Sequence, residues 1–378
     1  MRVLVFGTYD ATRHPRIAVL TEGLRRHGAE ITECNVPLGL DTADRVAILR
    51  QPWRLPVLAA RIGWSWRALI RQARRLPASD VVLVGYLGHF DAHLARRLFP
   101  TTPIVLDHLI GAADTAKDRG VSGGTTNRLL QWLDRSALGA ADVIVVDTDE
   151  HLAMLPAEYR TKGVAVAVGA GQPWFDAARR AAVSEPRTVA KPRTAADPLR
   201  VVFFGLYTPL QGAPVIGAAL RELIGLPIQV TMIGTGQDLA ATRSAAGAGA
   251  DVRWRDWADA AELPDLVAGH DVCLGIFGTG PKASRVVPNK VFQGAAAGCA
   301  IVTSDTPPQR RTLGTAAVLV PPGDPSALAN ALRTLAADRT LTADYRRAAT
   351  ELAAARFSPD AVVAPLLDRL AAAEVTQR

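Results

Sequence analysis

The sequence predicts an α/β protein made of two doubly wound domains, each built on a parallel β-sheet. Short apolar runs alternate with longer, helix-length segments rich in Ala, Leu and Arg, and the alternation occurs twice along the 378 residues. A proline-rich, charged stretch without periodicity separates the two series. Strands that are apolar throughout and separated by helices are typical of a parallel sheet covered on both faces.

Six strands are predicted in each series. The first series gives strands at residues 3–6, 31–36, 81–86, 104–107, 143–147 and 164–168. The second gives strands at residues 201–204, 230–233, 252–254, 272–276, 301–303 and 318–320. The stretch between them, residues 172–198, contains four prolines and reads as a linker by composition.

These patterns predict a domain organisation with four parts. We expect an N-terminal Rossmann-like domain over residues 1–172, a linker over 173–199 and a C-terminal Rossmann-like domain over 200–357. A helix over 358–378, opened by Ser358 and Pro359, is placed to pack back on the N-terminal domain. Ligands of such sheets bind at the carboxyl ends of the strands, so the two domains are expected to face a cleft.

The composition excludes several classes of protein. Hydrophobic residues make up 49% and charged residues 21% of the chain, which is ordinary for a globular protein. The three cysteines, Cys34, Cys273 and Cys299, lie far apart and suggest neither a disulfide framework nor a zinc site. The apolar N-terminus is too short for a signal segment and no apolar run can span a bilayer, so a cytoplasmic protein is expected.

The net charge of +7 leaves three kinds of acidic partner to consider. They are nucleic acid, an anionic membrane surface and phosphorylated ligands. No zinc-finger, RRM or basic-helix dimer pattern is present, which argues against nucleic acid.

The second series carries a set of motifs at the ends of its strands. In order they are FFGLYTPLQG at 203–212, MIGTG at 232–236, PNKVFQGAAAGCAIVTSD at 288–305 and AVLVPPGD at 317–324. In order and spacing, residues 200–330 resemble the donor half of the GT-B glycosyltransferases, in particular the retaining family 4. The resemblance extends more loosely over residues 1–170, and GAGQPWF at 169–175 resembles the family's hinge segment.

The resemblance implies a reaction and its partners. A nucleotide-sugar donor binds the second domain, and a glycan, lipid-linked or small-molecule acceptor binds the first. Retaining members of the family need no strong protein nucleophile, and the acceptor proton can pass to the departing phosphate. No cofactor and no metal ion are expected, because GT-B enzymes neutralise the diphosphate with protein cations.

A donor site is expected where the Gly205 turn and the helix that starts near Pro288 bring backbone N–H groups to the diphosphate. Lys290 lies in the first helical turn, where a cation conflicts with the helix dipole unless an anion is bound. Lys290 and Arg285 are therefore candidate catalytic cations. The expected donor-binding residues are Gly205, Tyr207, Gln211, Gly212, Gly234, Gly236, Trp257, Lys282, Asn289 and Gln293.

The sequence departs from the family pattern at four positions. Leu206 and Gln211 stand where the family has an arginine and a lysine, and Gln293 stands at the ribose-binding carboxylate. Arg285 replaces a second carboxylate. Either Lys282, Arg285 and Lys290 supply the missing charge, or the site is degenerate and has no transfer activity.

In the first domain, His108 follows a strand at a position where family members carry a histidine near the donor sugar and the acceptor. It is the third catalytic candidate, and the alternative is a histidine bonded to nearby backbone. The acceptor side is expected to include Gly7, Thr8, Tyr9, Arg16 and Asp149. For Arg16, a phosphate ligand and a solvated arginine remain open.

Two further patterns in the first domain resemble metal motifs without matching them. His89 and His93 are spaced as on one helix face, but no glutamate follows His89. The run Asp147-Thr148-Asp149 mimics a metal-binding DxD motif, and we expect it to line the acceptor side or to cap the next helix.

Residues 50–75 contain three tryptophans and seven arginines among apolar residues. The composition suits an anionic membrane interface, and equally a surface helix with one face on the core.

Two other functions remain open. A GT-B sugar-nucleotide 2-epimerase needs acid and base carboxylates that the sequence does not identify. A non-catalytic nucleotide-sugar-binding protein would account for Leu206, Gln211 and Gln293.

Overall fold

The computed structural model describes residues 1–10, 15–39, 53, 55–85, 88–109, 111, 124–184 and 197–376. The chain forms two compact units. We call Met1–Ala167 together with Pro359–Arg378 the N-terminal unit, and Val168–Ser358 the C-terminal unit.

The N-terminal unit contains a six-stranded parallel sheet of order β2-β1-β3-β4-β5-β6. Its strands are β1 (Arg2–Gly7), β2 (Glu30–Asn35), β3 (Val81–Val84), β4 (Ile104–Asp107), β5 (Val143–Val146) and β6 (Gly163–Ala165). Its described helices are α1 (Arg16–Arg26), α2 (Leu55–Ala73), α3 (His89–Leu98), α4 (Gly124–Ala140), α5 (Asp149–Met154), α6 (Ala157–Arg160) and, from the end of the chain, α15 (Pro359–Thr376).

Both faces of this sheet are covered, which explains why its strands are apolar throughout. Val3 and Val5 of β1 belong to a buried cluster with residues of α1 and α15. Leu4 and Phe6, on the other face of the same strand, pack in a second cluster that includes Leu69 of α2. Alternate residues of one strand thus enter two cores.

The C-terminal unit contains a second six-stranded parallel sheet, of order β12-β11-β10-β7-β8-β9. Its strands are β7 (Leu199–Phe204), β8 (Ile228–Ile233), β9 (Val252–Arg255), β10 (Val272–Leu274), β11 (Ala300–Ser304) and β12 (Ala317–Val320). Its described helices are α7 (Gln172–Ser184), α8 (Ala213–Arg221), α9 (Leu239–Ala246), α10 (Leu263–Ala268), α11 (Asn289–Ala296), α12 (Pro307–Leu313), α13 (Pro325–Ala337) and α14 (Arg339–Arg356).

The predicted fold class is confirmed: each unit is a doubly wound parallel sheet with flanking helices, and all twelve predicted strands are present. The strand order reverses between β1 and β3 in the N-terminal unit and between β7 and β10 in the C-terminal unit. Ligands of doubly wound sheets bind at such switch points, beyond the carboxyl ends of the strands.

The proline-rich stretch differs from the sequence-based expectation in its first part. Gln172–Ser184 forms α7 rather than irregular linker, because its proline, Pro173, lies in the first turn, where a missing N–H costs nothing. Trp174 of α7 stacks on Phe204, with ring centroids 5.6 Å apart. Residues 185–196 lie outside the described part of the chain.

The chain also returns to the N-terminal unit at its end. The C-terminal helix α15 packs against α1, and Val363 and Leu366 enter the same buried cluster as Leu20. Among the described residues, no helix is long and apolar enough to cross a membrane.

Candidate functional site

The switch point of the C-terminal unit holds a buried lysine. Lys290, in the first turn of α11, is 4% exposed, and its Nζ donates to Oε1 of Gln211 at 2.5 Å. Nζ also lies 3.7 Å from the centroid of the Phe203 ring, and no carboxylate among the described residues pairs with it. Burial lowers the pKa of Lys290 to about 7. The ammonium is thus placed for an anion and lacks a counter-charge.

The loops around Lys290 approach one another so closely that only glycine fits. A Cβ on Gly205 would lie 3.2 Å from Lys290 Nζ, and one on Gly234 would lie 2.0 Å from the carbonyl oxygen of Gly205. Gly205 and Gly234 both have positive φ angles, 138° and 124°. The glycines keep the loops after β7 and β8 in contact and leave backbone uncovered at the lysine.

Gly212 and Gly236 also lie where neighbouring backbone leaves no room for a side chain. A Cβ on Gly212 would meet the backbone nitrogen of Gly278 at 2.4 Å, and one on Gly236 would meet the carbonyl oxygen of Tyr207 at 2.5 Å. Gly278, in the loop after β10, escaped the sequence-based prediction because it belongs to no motif that stood out.

The side chain of Tyr207 lies in the interior of the unit, and its donor-binding role stays a prediction. Its side chain is fully buried, its ring packs edge-on against Phe203, and its buried hydroxyl has no hydrogen-bond partner in the described part of the chain. Burial raises the pKa of this phenol. Tyr207 is a core residue, because the aromatic pair fills the space beneath the loop after β7.

The remaining donor-side candidates surround Lys290 with varied exposure. Gln293, one turn further along α11, is 8% exposed, whereas Asn289 is exposed and Trp257 is 71% exposed. Lys282 and Arg285 lie half-buried in the loop before α11, and Arg285 Nε donates to the carbonyl oxygen of Pro281 at 2.8 Å. Their roles toward a donor stay predictions.

In the N-terminal unit, the end of β1 is anchored on α3. Asp91 Oδ2 accepts from the backbone N–H of Thr8 at 2.7 Å and from its hydroxyl at 2.8 Å. A Cβ on Gly7 would lie 2.9 Å from the same oxygen. Tyr9 is 4% exposed, its hydroxyl is buried, and burial raises its pKa. The side chains of Thr8 and Tyr9 therefore lie in the interior of the unit, and their role on the acceptor side stays a prediction.

Arg16 lies in the interior of the N-terminal unit. It is 2% exposed, and its Nε donates to Asp107 Oδ1 at 2.8 Å. Its two terminal nitrogens donate to the carbonyl oxygens of Val166 and Ala167. The guanidinium thus joins α1, β4 and the end of β6 inside the unit. It is not a solvated arginine, because it is buried and donates internally, and a role toward a phosphate stays a prediction.

His108 lines a cavity of about 390 Å³ that extends between α4 and α5. Its backbone N–H donates to the Val145 carbonyl oxygen at 2.8 Å. Its buried Nδ1 has no hydrogen-bond partner among the described residues. Burial, with a contribution from nearby His89, lowers the pKa of His108 to about 3. Burial therefore keeps the ring neutral at physiological pH.

Two histidine–aspartate pairs flank His108. His89 Nε2 lies 2.9 Å from Asp134 Oδ1, and the rings of His89 and His108 meet edge-on with centroids 5.3 Å apart. On the other side, His151 Nδ1 makes a short contact with Asp147 Oδ1. Both pairs are largely buried. Neither pair was predicted from the sequence; the available signal is a histidine four residues after an aspartate at the end of β5.

The DxD-like run contributes to this arrangement through helix geometry. Thr148 is the N-cap of α5, and its hydroxyl accepts from the His151 N–H at 3.3 Å. Asp149 is the exposed first residue of the helix. Within the described residues, no group of three or more His, Cys, Asp or Glu side chains could hold a metal ion. His93, for its part, bonds to the hydroxyl of Ser136 at 2.8 Å.

Comparison with known proteins indicates the class of enzyme. Residues 198–338 match the model of the family described as Glycosyl transferases group 1. A search of curated proteins found no match to this sequence. The family match falls in the C-terminal unit, which carries the Lys290 site, and it indicates that the protein is a glycosyltransferase.

Solved structures are similar over the whole chain. HepE of Anabaena in complex with UDP-glucose has a TM-score of 0.65 at 14% identity, covering 98% of this chain and 100% of its own. Sucrose-phosphate synthase of Thermosynechococcus elongatus has a TM-score of 0.70 at 16% identity, covering 100% and 99%. The UDP-forming α,α-trehalose-phosphate synthase of Burkholderia vietnamiensis has a TM-score of 0.65 at 15% identity, covering 98% and 99%. At these identities the similarity establishes the fold, which is GT-B.

Proposed function

We propose that this protein transfers a sugar from a nucleotide-diphosphate sugar, bound by the C-terminal unit, to a hydroxyl of an acceptor bound by the N-terminal unit. The observation that carries the proposal is the buried ammonium of Lys290 at the β7/β10 switch point. An unpaired buried cation is costly, and a diphosphate supplies the missing charge.

Gln211 explains how the site tolerates its departures from the family pattern. Where the family has a lysine, the Gln211 amide instead accepts a hydrogen bond from Lys290 and holds the ammonium beside Gly205. A second cation at this position would repel Lys290. The exchange argues for an altered site that keeps one central charge, with Lys282 and Arg285 adding charge at its edge.

The finer features of the reaction follow from the resemblance to family 4. We propose a retaining, metal-independent transfer in which protein cations and helix N-terminal amides stabilise the departing diphosphate. HepE was solved with UDP-glucose, so UDP-glucose is the first donor to test. The acceptor is a glycan, a lipid-linked glycan or a small molecule.

The test measures donor binding and turnover separately. UDP, GDP, ADP and dTDP and their sugar conjugates are compared by thermal shift, since a ligand that binds only the folded state raises the midpoint. Nucleotide release that depends on an added acceptor supports transfer. Release with conversion of the sugar supports the epimerase, and binding without any release supports a non-catalytic protein. No shift with any diphosphate at low salt rules out the proposed donor site.

We further propose a cytoplasmic protein that contacts an anionic membrane surface through α2. Val57, Arg61, Trp64 and Arg71 fall on one face of this helix at 3.6 residues per turn, and all four are exposed. Trp64 is 67% exposed, whereas Leu69 on the opposite face is fully buried. The helix contains no acidic residue. Exposed tryptophan between arginines suits the headgroup region of anionic lipids.

A further inference from the structure

The C-terminal unit contains a second cavity, of about 430 Å³, at the edge of its sheet opposite the candidate donor site. Its lining includes Arg200, the second residue of β7, with Gly269 before β10 and Gly298 before β11. These residues stand at the amino ends of their strands, whereas Lys290 lies beyond the carboxyl ends, beside Gly205. We call this space the amino-edge cavity.

The wall of the amino-edge cavity combines small side chains with positive ones. Two helices supply most of the remaining lining: Ala178, Ala181 and Ala182 from α7, and Arg346, Arg347 and Thr350 from α14. Among the described residues that line the cavity, none is acidic. A cavity of this size can enclose a small molecule, and the charge of its wall favours an anionic one.

Arg200 has hydrogen-bonding capacity that the described residues leave unused. A guanidinium carries five N–H donors. The ion-pair partner of Arg200 is Asp271, whose Oδ1 lies 3.7 Å from Nη2, which is beyond hydrogen-bonding distance. Its Nε is buried and has no hydrogen-bond partner in the described part of the chain. An anion that enters the cavity can therefore accept hydrogen bonds from this side chain.

One buried carboxylate is shared by three arginines at this edge of the sheet. Asp271 is 3% exposed, and besides Arg200 its oxygens lie 3.5 Å from Arg346 Nη1 and 4.0 Å from Arg339 Nη1. Its Oδ2 also accepts from the backbone N–H of Arg200 at 2.9 Å. A single carboxylate cannot neutralise three guanidiniums, so positive charge remains beside the cavity.

The wider charge balance leads to the same result. Arg347 pairs with Asp344 at 2.8 Å, so the ion pairs of the described residues set four arginines against two carboxylates. Helices α10 and α11 end at the cavity, and each helix C-terminus carries roughly half a negative charge. Arg346 Nε already donates to one such carbonyl, that of Gly298, at 2.8 Å. The two helix ends offset about one of the two excess charges, which leaves about one for a ligand.

We propose that the amino-edge cavity binds the phosphate group of a small molecule. Arg200 and Arg346 donate to the phosphate oxygens, and Arg347, whose side chain is 69% exposed, adds a third guanidinium at the mouth. Guanidiniums suit this role because their planar donors match phosphate oxygens in pairs. The alanine and glycine wall leaves room for the rest of the molecule. Lys290 takes no part, so the inference stands independently of the transferase function proposed above.

The experiment measures the binding of inorganic phosphate and of glycerol 3-phosphate by calorimetry, at constant ionic strength. The protein carries Lys290→Met, which removes the central cation of the candidate donor site. Arg200→Gln should raise the Kd of both probes at least about tenfold, as loss of a charge-assisted hydrogen bond does. Arg347→Gln, at an exposed side chain that the fold does not require, should act in the same direction. The control Arg333→Gln, with 39% side-chain exposure against 38% for Arg200, should change nothing.

A second variant blocks the cavity without changing its charge. Ala178 lies across from Gly298, since a Cβ on Gly298 would lie 3.7 Å from the Ala178 Cβ. Ala178→Leu places a larger side chain in this space on a helix that tolerates leucine. It should weaken glycerol 3-phosphate binding at least about tenfold with an unfolding midpoint close to that of the parent protein. Unchanged affinity in this variant would place the phosphate outside the cavity.

Chemical modification locates the bound probe independently. Phenylglyoxal reacts with accessible guanidiniums, and peptide mass spectrometry reports the extent at each arginine. Glycerol 3-phosphate should protect Arg200 and Arg347 and leave Arg333 reactive. Equal protection of all three would indicate general screening by the anion and overturn the site. The proposal is also overturned by saturable binding that none of the cavity variants weakens, by no binding of either probe, or by succinate binding as tightly as glycerol 3-phosphate.

Discussion

At the scale of single residues, Lys290 shows how burial and charge are balanced at the β7/β10 switch point. The partners of its Nζ are the amide oxygen of Gln211 and the ring face of Phe203. Each stabilises the charged ammonium less than a neighbouring carboxylate would. Burial consequently lowers its pKa to about 7. A bound diphosphate favours the charged ammonium and raises this pKa again.

Substitution of Lys290 should therefore impair turnover. A charge-assisted hydrogen bond to phosphate contributes about 1.5–3 kcal/mol, so Lys290→Ala should lower kcat about 10- to 100-fold, with a smaller change in KM. Arg285→Ala should act in the same direction, and the double variant should be less than additive because both cations serve one anion. Steady-state kinetics with the preferred sugar nucleotide provide the measurement. Full activity of a folded Lys290→Ala protein would place the phosphate site elsewhere.

The depressed pKa of Lys290 also predicts proton uptake on binding. Above pH 7 the free protein holds Lys290 increasingly neutral, and the diphosphate complex needs it charged, so binding takes up a proton and weakens as pH rises. The Kd of UDP should increase between pH 6.5 and pH 9 by up to about tenfold per pH unit. In Lys290→Met the remaining slope reports only the ligand's own titration. Parallel slopes for the two proteins, measured by calorimetry, would contradict the assignment.

How much of the site could be predicted varies from residue to residue. Lys290 was identifiable because a cation in a first helical turn conflicts with the dipole. Its bond to Gln211, 79 residues away in sequence, depends on the strand order, which no local pattern reveals. The burial of Arg16 and Tyr207 was not predictable for a related reason: a motif position does not show whether a side chain points into the core.

At the scale of elements, strands were easier to predict than helix starts. Apolar runs mark strands that are buried on both faces, and each predicted run is a strand. The start of α13 illustrates the difficulty, because polar residues stand on both sides of Pro325. Asp324 is the N-cap, and its side chain accepts from the Ala327 N–H at 2.9 Å. Pro325 takes the first helical position, and Ser326 donates to Glu222.

Helix α2 has an exposed face with tryptophan and arginine side chains, and its proposed contact with lipid is testable. Wild-type protein should sediment with anionic vesicles more than with neutral ones, because the exposed face combines Trp64 with Arg61 and Arg71. Trp64→Ala should reduce binding several-fold, and Arg61→Ala with Arg71→Ala should remove the preference for anionic lipid. Trp257→Ala, at an exposed tryptophan of the C-terminal unit, is the control. Equal sedimentation with both kinds of vesicle counts against the proposal.

At the scale of the whole molecule, the N-terminal unit is discontinuous in sequence. Val362, Val363, Leu366 and Leu370 of α15 complete a cluster whose other members include residues of β1 and α1. The approach is close: a Cβ on Gly23 of α1 would lie 2.2 Å from the carbonyl oxygen of Pro359. The last helix is thus part of the core of the first unit.

Removal of α15 should destabilise the N-terminal unit specifically. Burial of each aliphatic side chain contributes about 1.5–3 kcal/mol to the free energy of unfolding. The loss of four is therefore comparable with the whole free energy of unfolding of an ordinary domain. A chain ending at Ser358 should show a lower unfolding midpoint and bind a hydrophobic dye, while nucleoside diphosphate still protects the C-terminal unit. A chain ending at residue 372 keeps the four side chains and is the control. An unchanged midpoint for the shorter chain would show that α15 contributes little.

The position of α15 in the sequence means that the N-terminal unit is completed late in translation. Val3, Val5 and Leu20 are made well before Val362, Val363, Leu366 and Leu370 of α15, which complete the same buried cluster. All of Val168–Ser358 must be synthesised in between, which takes about 10 to 40 s at about 5–20 residues per second. During that interval the nascent N-terminal unit presents an uncovered apolar face. We therefore expect the newborn chain to engage chaperones through this face, and to release them only when α15 has emerged and packed.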